Sequence, residues 1–384
     1  MFTKKSKKRI IIAASLGSGN IGDEAICEKI VNDILSITGN LKITILVFNK
    51  NLFLTSHPHW IKFKKITIES MNYRKKILLS PRELLSILRG IGSILFCNYF
   101  IWGGGGLVRN RSDWLKIYLI PFKIAQFLHK KILILSIGVD KITDFGVVKL
   151  IKNIKKFDLF SVRDENSKRN ILDVLKDIKE DKIKIIRDPV FNYSHSLSLK
   201  SSQKFRVGIN LSYWKAFFNN ETHVFAERIA GIFNNISHYK NVEIVYLPTA
   251  REKDMIVFNK FKEHLNRNIK IIIPTINTPQ EFIEEASSCS LVIGMRMHSI
   301  ILSSSIDNLP IFIIVYDEKV EAMIKELNLN KNNIFNISQI VSGSDFLEKS
   351  LIDCFENPNN YLMNFEKARI SSTRLINTLK QYLT

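Results

Sequence analysis

Short apolar runs alternate with longer stretches whose apolar residues recur every three to four positions, along almost the whole chain. In the first half this predicts strands at 8–14, 42–48, 66–69, 93–102, 131–137, 159–162 and 183–186. Helices are expected between them at 23–35, 81–91, 114–129, 144–155 and 164–175, while residues 51–80 are less regular. Pro81 sits near a helix start, where its missing N–H is tolerated, whereas Pro121 must kink or begin its helix. A Ser-rich stretch without helical spacing, 192–204, reads as a linker. The alternation then resumes, with strands at 206–210, 242–247, 269–273, 291–294 and 310–315. Helices are expected at 223–236, 252–265, 278–286, 298–305, 319–327, 344–356 and 360–383, the third opened by Thr278 and Pro279. Strand centres such as 42–48 are apolar throughout, as in parallel strands covered on both faces. The pattern predicts an α/β protein of two doubly wound, Rossmann-type α/β/α domains facing across a cleft, 1–195 and 196–384, the second carrying the terminal helices.

A length of 384 residues suits two domains, and 46% hydrophobic with 24% charged residues is a globular balance. The net charge of +20 favours anionic partners: nucleic acid, lipid headgroups or phosphorylated small molecules. Abundant Lys, Ile and Asn make compositional bias the plainer source of that charge. No nucleic-acid module and no basic–aromatic stripe is visible, so nucleic acid is set aside. Cys27, Cys97, Cys289 and Cys354 are scattered, which suits neither a zinc site nor a disulfide framework and points to a reducing compartment. The basic start followed by apolar 10–16 mimics a signal peptide but runs straight into a glycine turn, so a first strand explains it better. Residues 90–108 lack charge over nearly a membrane-span length, yet Asn98 and four glycines argue for a helix end, strand and loop. The expectation is a soluble, cytoplasmic protein whose charge allows peripheral contact with an anionic membrane; its oligomeric state is not readable.

Four places carry candidate chemistry, each with a plainer reading beside it. Gly17-x-Gly19-x-x-Gly22 follows a strand and opens a helix, as a dinucleotide fingerprint does. The second strand ends Phe48–Asn49–Lys50 without the ribose-binding acid, and Asp23 and Glu24 would oppose a pyrophosphate, which weakens an oxidoreductase reading. Asn20, Asp23 and Glu24 then stand as a polar loop for a hydroxyl-rich ligand; otherwise the glycines make a tight turn and the acids complement the helix dipole. Gly103 to Gly106, with Gly104 and Gly105 at the centre, close a strand and can present N–H groups to an anion, or form a loop without ligand. Arg163, at another strand end, can grip a phosphate or carboxylate bidentately, or simply pair with Asp164. Arg296 and His298 lie between a buried strand and a helix start, where α/β proteins bind ligands; a lone His there is otherwise a cap or a core residue. Lys319 opens the helix after the next strand, which brings it toward His298, unless it is a solvated surface lysine.

In order, GSGNIGDEAI (17–26), IWGGGGLV (101–108), LSIGV (135–139), LFSVRDENS (159–167), RDPVF (187–191), VIGMRMHSIILSSS (292–305) and VYDEKV (315–320) resemble the polysaccharide pyruvyl transferase family. The set is specific where its single members are weak. The resemblance implies a GT-B-like fold and transfer of a pyruvyl group from phosphoenolpyruvate to a sugar as a cyclic ketal, with a saccharide acceptor that can be lipid-linked. It implies no metal and no cofactor beyond the phosphoenolpyruvate donor. Carried over by motif, His298, Arg163 and Lys319 fall at catalytic positions, with His298 as general acid/base. Arg296 falls at a substrate-binding position; by the chemistry, and not by motif, Asn20, Asp23, Glu24, Gly104 and Gly105 are expected on the facing side, where the sugar acceptor would lie. Met297 stands where the family has leucine, a volume-conserving change, and Glu318 where it has proline, which should loosen the helix start. A nucleotide-sugar glycosyltransferase of the same fold is the alternative, sharing the two domains and a cationic phosphate clamp.

Overall fold

A computed structural model describes residues 7–71, 81–154, 156–193, 198–199, 205–212 and 219–384. By internal contacts the chain forms two compact units, Met1–Val190 with Ala368–Thr384, and Phe191–Lys367.

The first unit holds strands β1 (Lys8–Ala13), β2 (Leu41–Val47), β3 (Ile66–Ser70), β4 (Tyr99–Val108), β5 (Lys131–Val139), β6 (Leu159–Val162) and β7 (Ile183–Ile185). They pair in parallel in the order β3-β2-β1-β4-β5-β6-β7. Its helices are α1 (Ile21–Ile37), α2 (Lys50–Ser56), α3 (Pro81–Leu95), α4 (Ser112–Phe127), α5 (Phe145–Ile151) and α6 (Glu165–Val174). Large apolar side chains of the central strands, among them Phe100, Trp102, Ile134 and Phe160, are buried in one core. The strand order reverses between β1 and β4, so ligand-binding loops are expected at the carboxyl ends of those two strands.

Two local expectations fail here for identifiable reasons. Helix α3 runs on to Leu95, and β4 begins only at Tyr99. The four glycines are therefore inside the strand rather than in a loop that closes it. Gly104 (φ 87) and Gly105 (φ 78) bend the strand, and its register against β5 shifts after Gly105. Residues 90–108 thus divide into a helix end and a strand, and no helix among the described residues is long and apolar enough to cross a membrane.

The second unit holds β8 (Phe205–Asn210), β9 (Val242–Tyr246), β10 (Lys270–Ile272), β11 (Leu291–Gly294), β12 (Ile311–Val315) and β13 (Ile334–Asn336). They form a parallel sheet in the order β10-β9-β8-β11-β12-β13. Around it lie α7 (Asn219–Ile236), α8 (Arg251–Glu263), α9 (Pro279–Ala286), α10 (Met297–Ser303), α11 (Glu318–Leu327), α12 (Ile337–Val341) and α13 (Phe346–Glu356). Thr278 and Glu281 form a reciprocal capping box at the start of α9, the local reason that helix begins there. This sheet reverses order between β8 and β11.

The expected boundary at 195/196 falls in 194–197, outside the described residues, as does 200–204 of the expected linker. The division expected there is corrected at the other end of the chain. After a short turn, the last helix, α14 (Glu366–Leu383), joins the first unit from Ala368 onward instead of closing the second. Tyr99 donates its hydroxyl to the Tyr382 carbonyl (2.6 Å), and Tyr382 donates its own to the Asp158 carbonyl (2.8 Å).

Candidate functional site

In the second unit the site is built at the reversal point. Gly294 ends β11 paired to Asn210, the end of β8, on one side and to Ile313, in the middle of β12, on the other, so two strand ends meet there beside a third strand. Asn210 is fully buried and its side-chain oxygen accepts the Arg296 backbone N–H at 3.0 Å. Its amide nitrogen donates to the Leu247 carbonyl (2.9 Å) and to Asp254 (3.3 Å). Asp254, also fully buried, accepts the Arg296 Nε–H on Oδ1 at 2.5 Å. Its Oδ2 accepts the backbone N–H groups of Thr249 and Ala250, both at 3.0 Å. Asn210 and Asp254 thus hold Arg296 by backbone and side chain together. Burial alone would lower the Arg296 pKa, but the charge of Asp254 and the neighbouring Tyr316 outweigh it and keep the guanidinium protonated. Burial pushes the Tyr316 phenol up to about 12, so it too stays protonated at neutral pH. The Tyr246 phenol is raised by burial and by Asp254.

His298 is the second residue of α10 and is buried at 9% exposure. Lys319 is the second residue of α11, whose start is capped by Asp317 accepting from the Val320 N–H at 2.9 Å. This aspartate supplies the helix start that the missing proline would have favoured. Because β11 and β12 are adjacent and parallel, the helices carrying His298 and Lys319 start at one edge of one sheet.

In the first unit, Asn20 caps α1, accepting the Gly22 N–H at 3.1 Å and donating to Asp23 at 3.0 Å. Glu24 is 1% exposed; its Oε1 accepts the Gly17 N–H at 2.8 Å, and its Oε2 lies 3.3 Å from His57 Nε2. Its carboxylate therefore ties the glycine turn to the interior. His57 is fully buried between Glu24 and Glu28, stacked on Trp60 at 4.3 Å. Burial would lower its pKa, but hydrogen bonds and charge from the two glutamates raise it above 6.5. Burial raises the Glu24 pKa, partly offset by His57 and the Gly17 N–H.

Gly104 and Gly105 accept the first turn of α1. A Cβ on Gly104 would come within 2.3 Å of Ile26, and one on Gly105 within 2.5 Å of the Asp23 carboxylate. Close packing accounts for glycine at both positions. Arg163 is 6% exposed; its Nε donates to Asp164 at 3.1 Å, the pairing that was the plainer reading, and its guanidinium lies flat over Gly138, where a Cβ would be 2.7 Å from Cζ. Next to it Ser136 holds φ 46 inside β5, an uncommon backbone state for a non-glycine residue, at a register shift between Ile134 and Ile137.

The sequence reading missed Asn210, Asp254, His57 and Glu28. Asn210 ends a strand at the reversal point, a legible signal; Asp254 looks like any acid in a first helical turn. For His57 the available signal was the pair Glu24 and Glu28, four apart on a buried helix face. Among the described residues no group of three or more His, Cys, Asp or Glu is disposed to hold a metal ion.

The family model described as polysaccharide pyruvyl transferase matches residues 20–305. No curated protein sequence matches the chain. Among solved structures the chain is similar to UDP-GlcNAc 2-epimerase from Neisseria meningitidis bound to UDP-GlcNAc, at 12% identity, TM-score 0.58, covering 97% of this chain and 100% of that one. It is also similar to UDP-GlcNAc 2-epimerase from Methanocaldococcus jannaschii, at 14% identity, TM-score 0.55, covering 97% and 99%. A third is S. aureus MnaA with UDP, at 13% identity, TM-score 0.54, covering 98% and 97%. At such identities the likeness establishes the fold, which is GT-B.

Proposed function

The chain belongs to the polysaccharide pyruvyl transferase family and is a transferase, and from that premise we propose that it moves a pyruvyl group from phosphoenolpyruvate to a sugar of a surface polysaccharide or its lipid-linked precursor. The family match over 20–305 carries this reading. The clamp on Arg296 supports it: a guanidinium fixed through Nε by Asp254 can turn its remaining N–H groups to a carboxylate or phosphate.

In the proposed reaction His298 protonates the methylene carbon of phosphoenolpyruvate, leaving an oxocarbenium-like C2. A sugar hydroxyl adds to C2 and returns a proton to His298; the C2–O bond to phosphate breaks with its electron pair leaving on the phosphate, and a second hydroxyl adds to the C2 cation so formed, its proton going to the departing phosphate, which closes the ketal. Arg296 and Lys319 carry the negative charge that develops on the departing phosphate. Arg163, in the first unit, is a further candidate for binding an anion. Asn20, Asp23 and the turn they brace are assigned to the acceptor; Glu24 acts through its hold on Gly17 and not by contact.

The test is incubation with phosphoenolpyruvate and a panel of sugar acceptors, reading phosphate release and pyruvyl addition by mass. His298→Ala should fold and lose at least about a hundredfold in turnover; near-normal turnover removes its role. Arg296→Ala and Arg163→Ala should chiefly weaken phosphoenolpyruvate binding. The structural neighbours bound to UDP and UDP-GlcNAc keep one second reading, a nucleotide-sugar transferase. UDP-sugar turnover without phosphate release from phosphoenolpyruvate would replace the first reading with that one.

A further inference from the structure

Helix α3 is amphipathic, and its apolar face is wider than the part that the fold buries. Its buried side is small, made by Ile87, Gly90 and Ile94. Leu84 (47% exposed), Leu88 (55%) and Leu95 (48%) lie in one row beside that buried side, roughly a quarter to a third of the way round the helix, at positions i, i+4 and i+11, with Leu85 (47%) farther round. Phe96, 66% exposed, follows directly after the helix end. The neighbouring α4 brings Phe127 (81% exposed) to the same end, where Lys130 Nζ donates to the Leu95 carbonyl at 2.7 Å. Exposed apolar residues scattered singly need no explanation; a continuous row of leucines on one helix does.

The charges around the row are of one sign. Arg82 and Arg89 are exposed on one flank of the helix, and the Arg9 guanidinium lies 5.8 Å from the Phe96 ring centroid. The carboxylate of Glu83 is the one acidic group in the sequence 81–98, and that residue is half-buried.

We infer that this face docks on a bilayer surface rich in anionic lipid. Leucines of an interfacial helix enter the boundary between headgroups and acyl chains, while flanking guanidiniums stay at phosphate level. Charge decides between lipid and a second copy of the chain. In a two-fold contact the face would meet itself, setting Arg82 and Arg89 of both copies together with no exposed carboxylate on the helix to answer them. Anionic headgroups answer them directly, and the net charge of +20 adds attraction at longer range. Where the pyruvyl-transfer reading also holds, on which this last step rests, the acceptor is a saccharide carried on a lipid in that same membrane.

The test is co-sedimentation of the full chain with phosphatidylcholine vesicles, with and without about one-third phosphatidylglycerol, at low and high salt. The intact chain should sediment with the anionic vesicles at low salt. Leu84→Gln/Leu88→Gln should reduce partitioning about tenfold or more, at unchanged melting temperature, because both positions are exposed and Gln suits a helix. Arg82→Gln/Arg89→Gln should weaken binding and flatten its salt dependence. No sedimentation, or equal sedimentation of the leucine variant, overturns the inference. A dimer by light scattering that the leucine variant dissolves does so too, because the face would then belong to a second copy. None of these readings uses turnover, so vesicle binding without pyruvyl transfer would leave the surface standing and remove only the proposed reaction.

Discussion

Asp254 is the residue whose removal should separate orientation from chemistry. It is fully buried, and it spends one oxygen on Arg296 and the other on two backbone N–H groups and Asn210. Asp254→Asn keeps the volume but withdraws the charge that fixes the guanidinium. In the proposed reaction this should raise KM for phosphoenolpyruvate about tenfold or more while kcat changes little, because the protonating group is elsewhere. A fall in kcat at unchanged KM would place Asp254 in the chemical step and contradict the positioning role. Asp254→Ala should in addition cost about 1–3 kcal/mol in urea unfolding, since the partly buried Arg296 loses its carboxylate partner and the Thr249 and Ala250 N–H groups lose their acceptor. His57 makes a different prediction, about pH. Its folded pKa lies above 6.5, so the native state holds a proton that the unfolded chain has released. Its contribution to stability is therefore complete below about 6.5 and lost as pH rises through the higher folded value. Glu24 shifts the same way, with its own window starting above 4.5. The midpoint of thermal unfolding should fall as pH rises above about 6.5, and His57→Gln should flatten that slope. A midpoint that climbs with pH would mean His57 is held neutral.

At the scale of elements, the contact of β4 with α1 decides the shape of the first unit's loop region. Gly104→Ala should destabilise by about 2–3 kcal/mol, from a positive φ of 87 and a methyl 2.3 Å from Ile26, whose buried side chain has nowhere to go. Differential scanning calorimetry reads it directly, and a loss below about 0.5 kcal/mol would show that the helix yields. The sequence announced four glycines at this place but not their use. Read along the chain they look like a loop; in space they are the floor under a helix. The same limit explains the other errors of extent. Strands 159–162 and 291–294 were legible to the residue because apolar runs there stop at Arg163 and at Gly294. Helix α3 was cut short and its strand begun too early because 93–97 is apolar in both states, and period alone does not separate them. β13 escaped notice since its three residues carry almost no pattern. The candidate residues divide likewise: Arg163, Arg296, His298 and Lys319 follow strand ends and announce themselves, whereas Asp254 reaches Arg296 from another part of the chain.

At the scale of the whole molecule, the chain ends in the unit where it began. Helix α14 has an ordinary amphipathic pattern, and that pattern says that a face is buried without saying against which core. The expectation of a closing helix in the second domain followed chain order, and the packing does not. Leu375, Leu379 and Leu383 are all fully buried, and the hydroxyl of Tyr99 bonds to the carbonyl of Tyr382. Each such leucine stabilises by about 1.5–3 kcal/mol, so the three together contribute roughly 5–9 kcal/mol, which is of the order of a domain's entire stability. Removing Ala368–Thr384 should therefore unfold the first unit and leave the second, which contains none of those residues. Hydrogen exchange read by mass spectrometry distinguishes the two: peptides from β1 and β4 should lose protection, and peptides from β8 and β11 should keep it. Equal loss in both units would mean that they unfold as one cooperative body. Loss confined to the second would return the last helix to the place that chain order suggested.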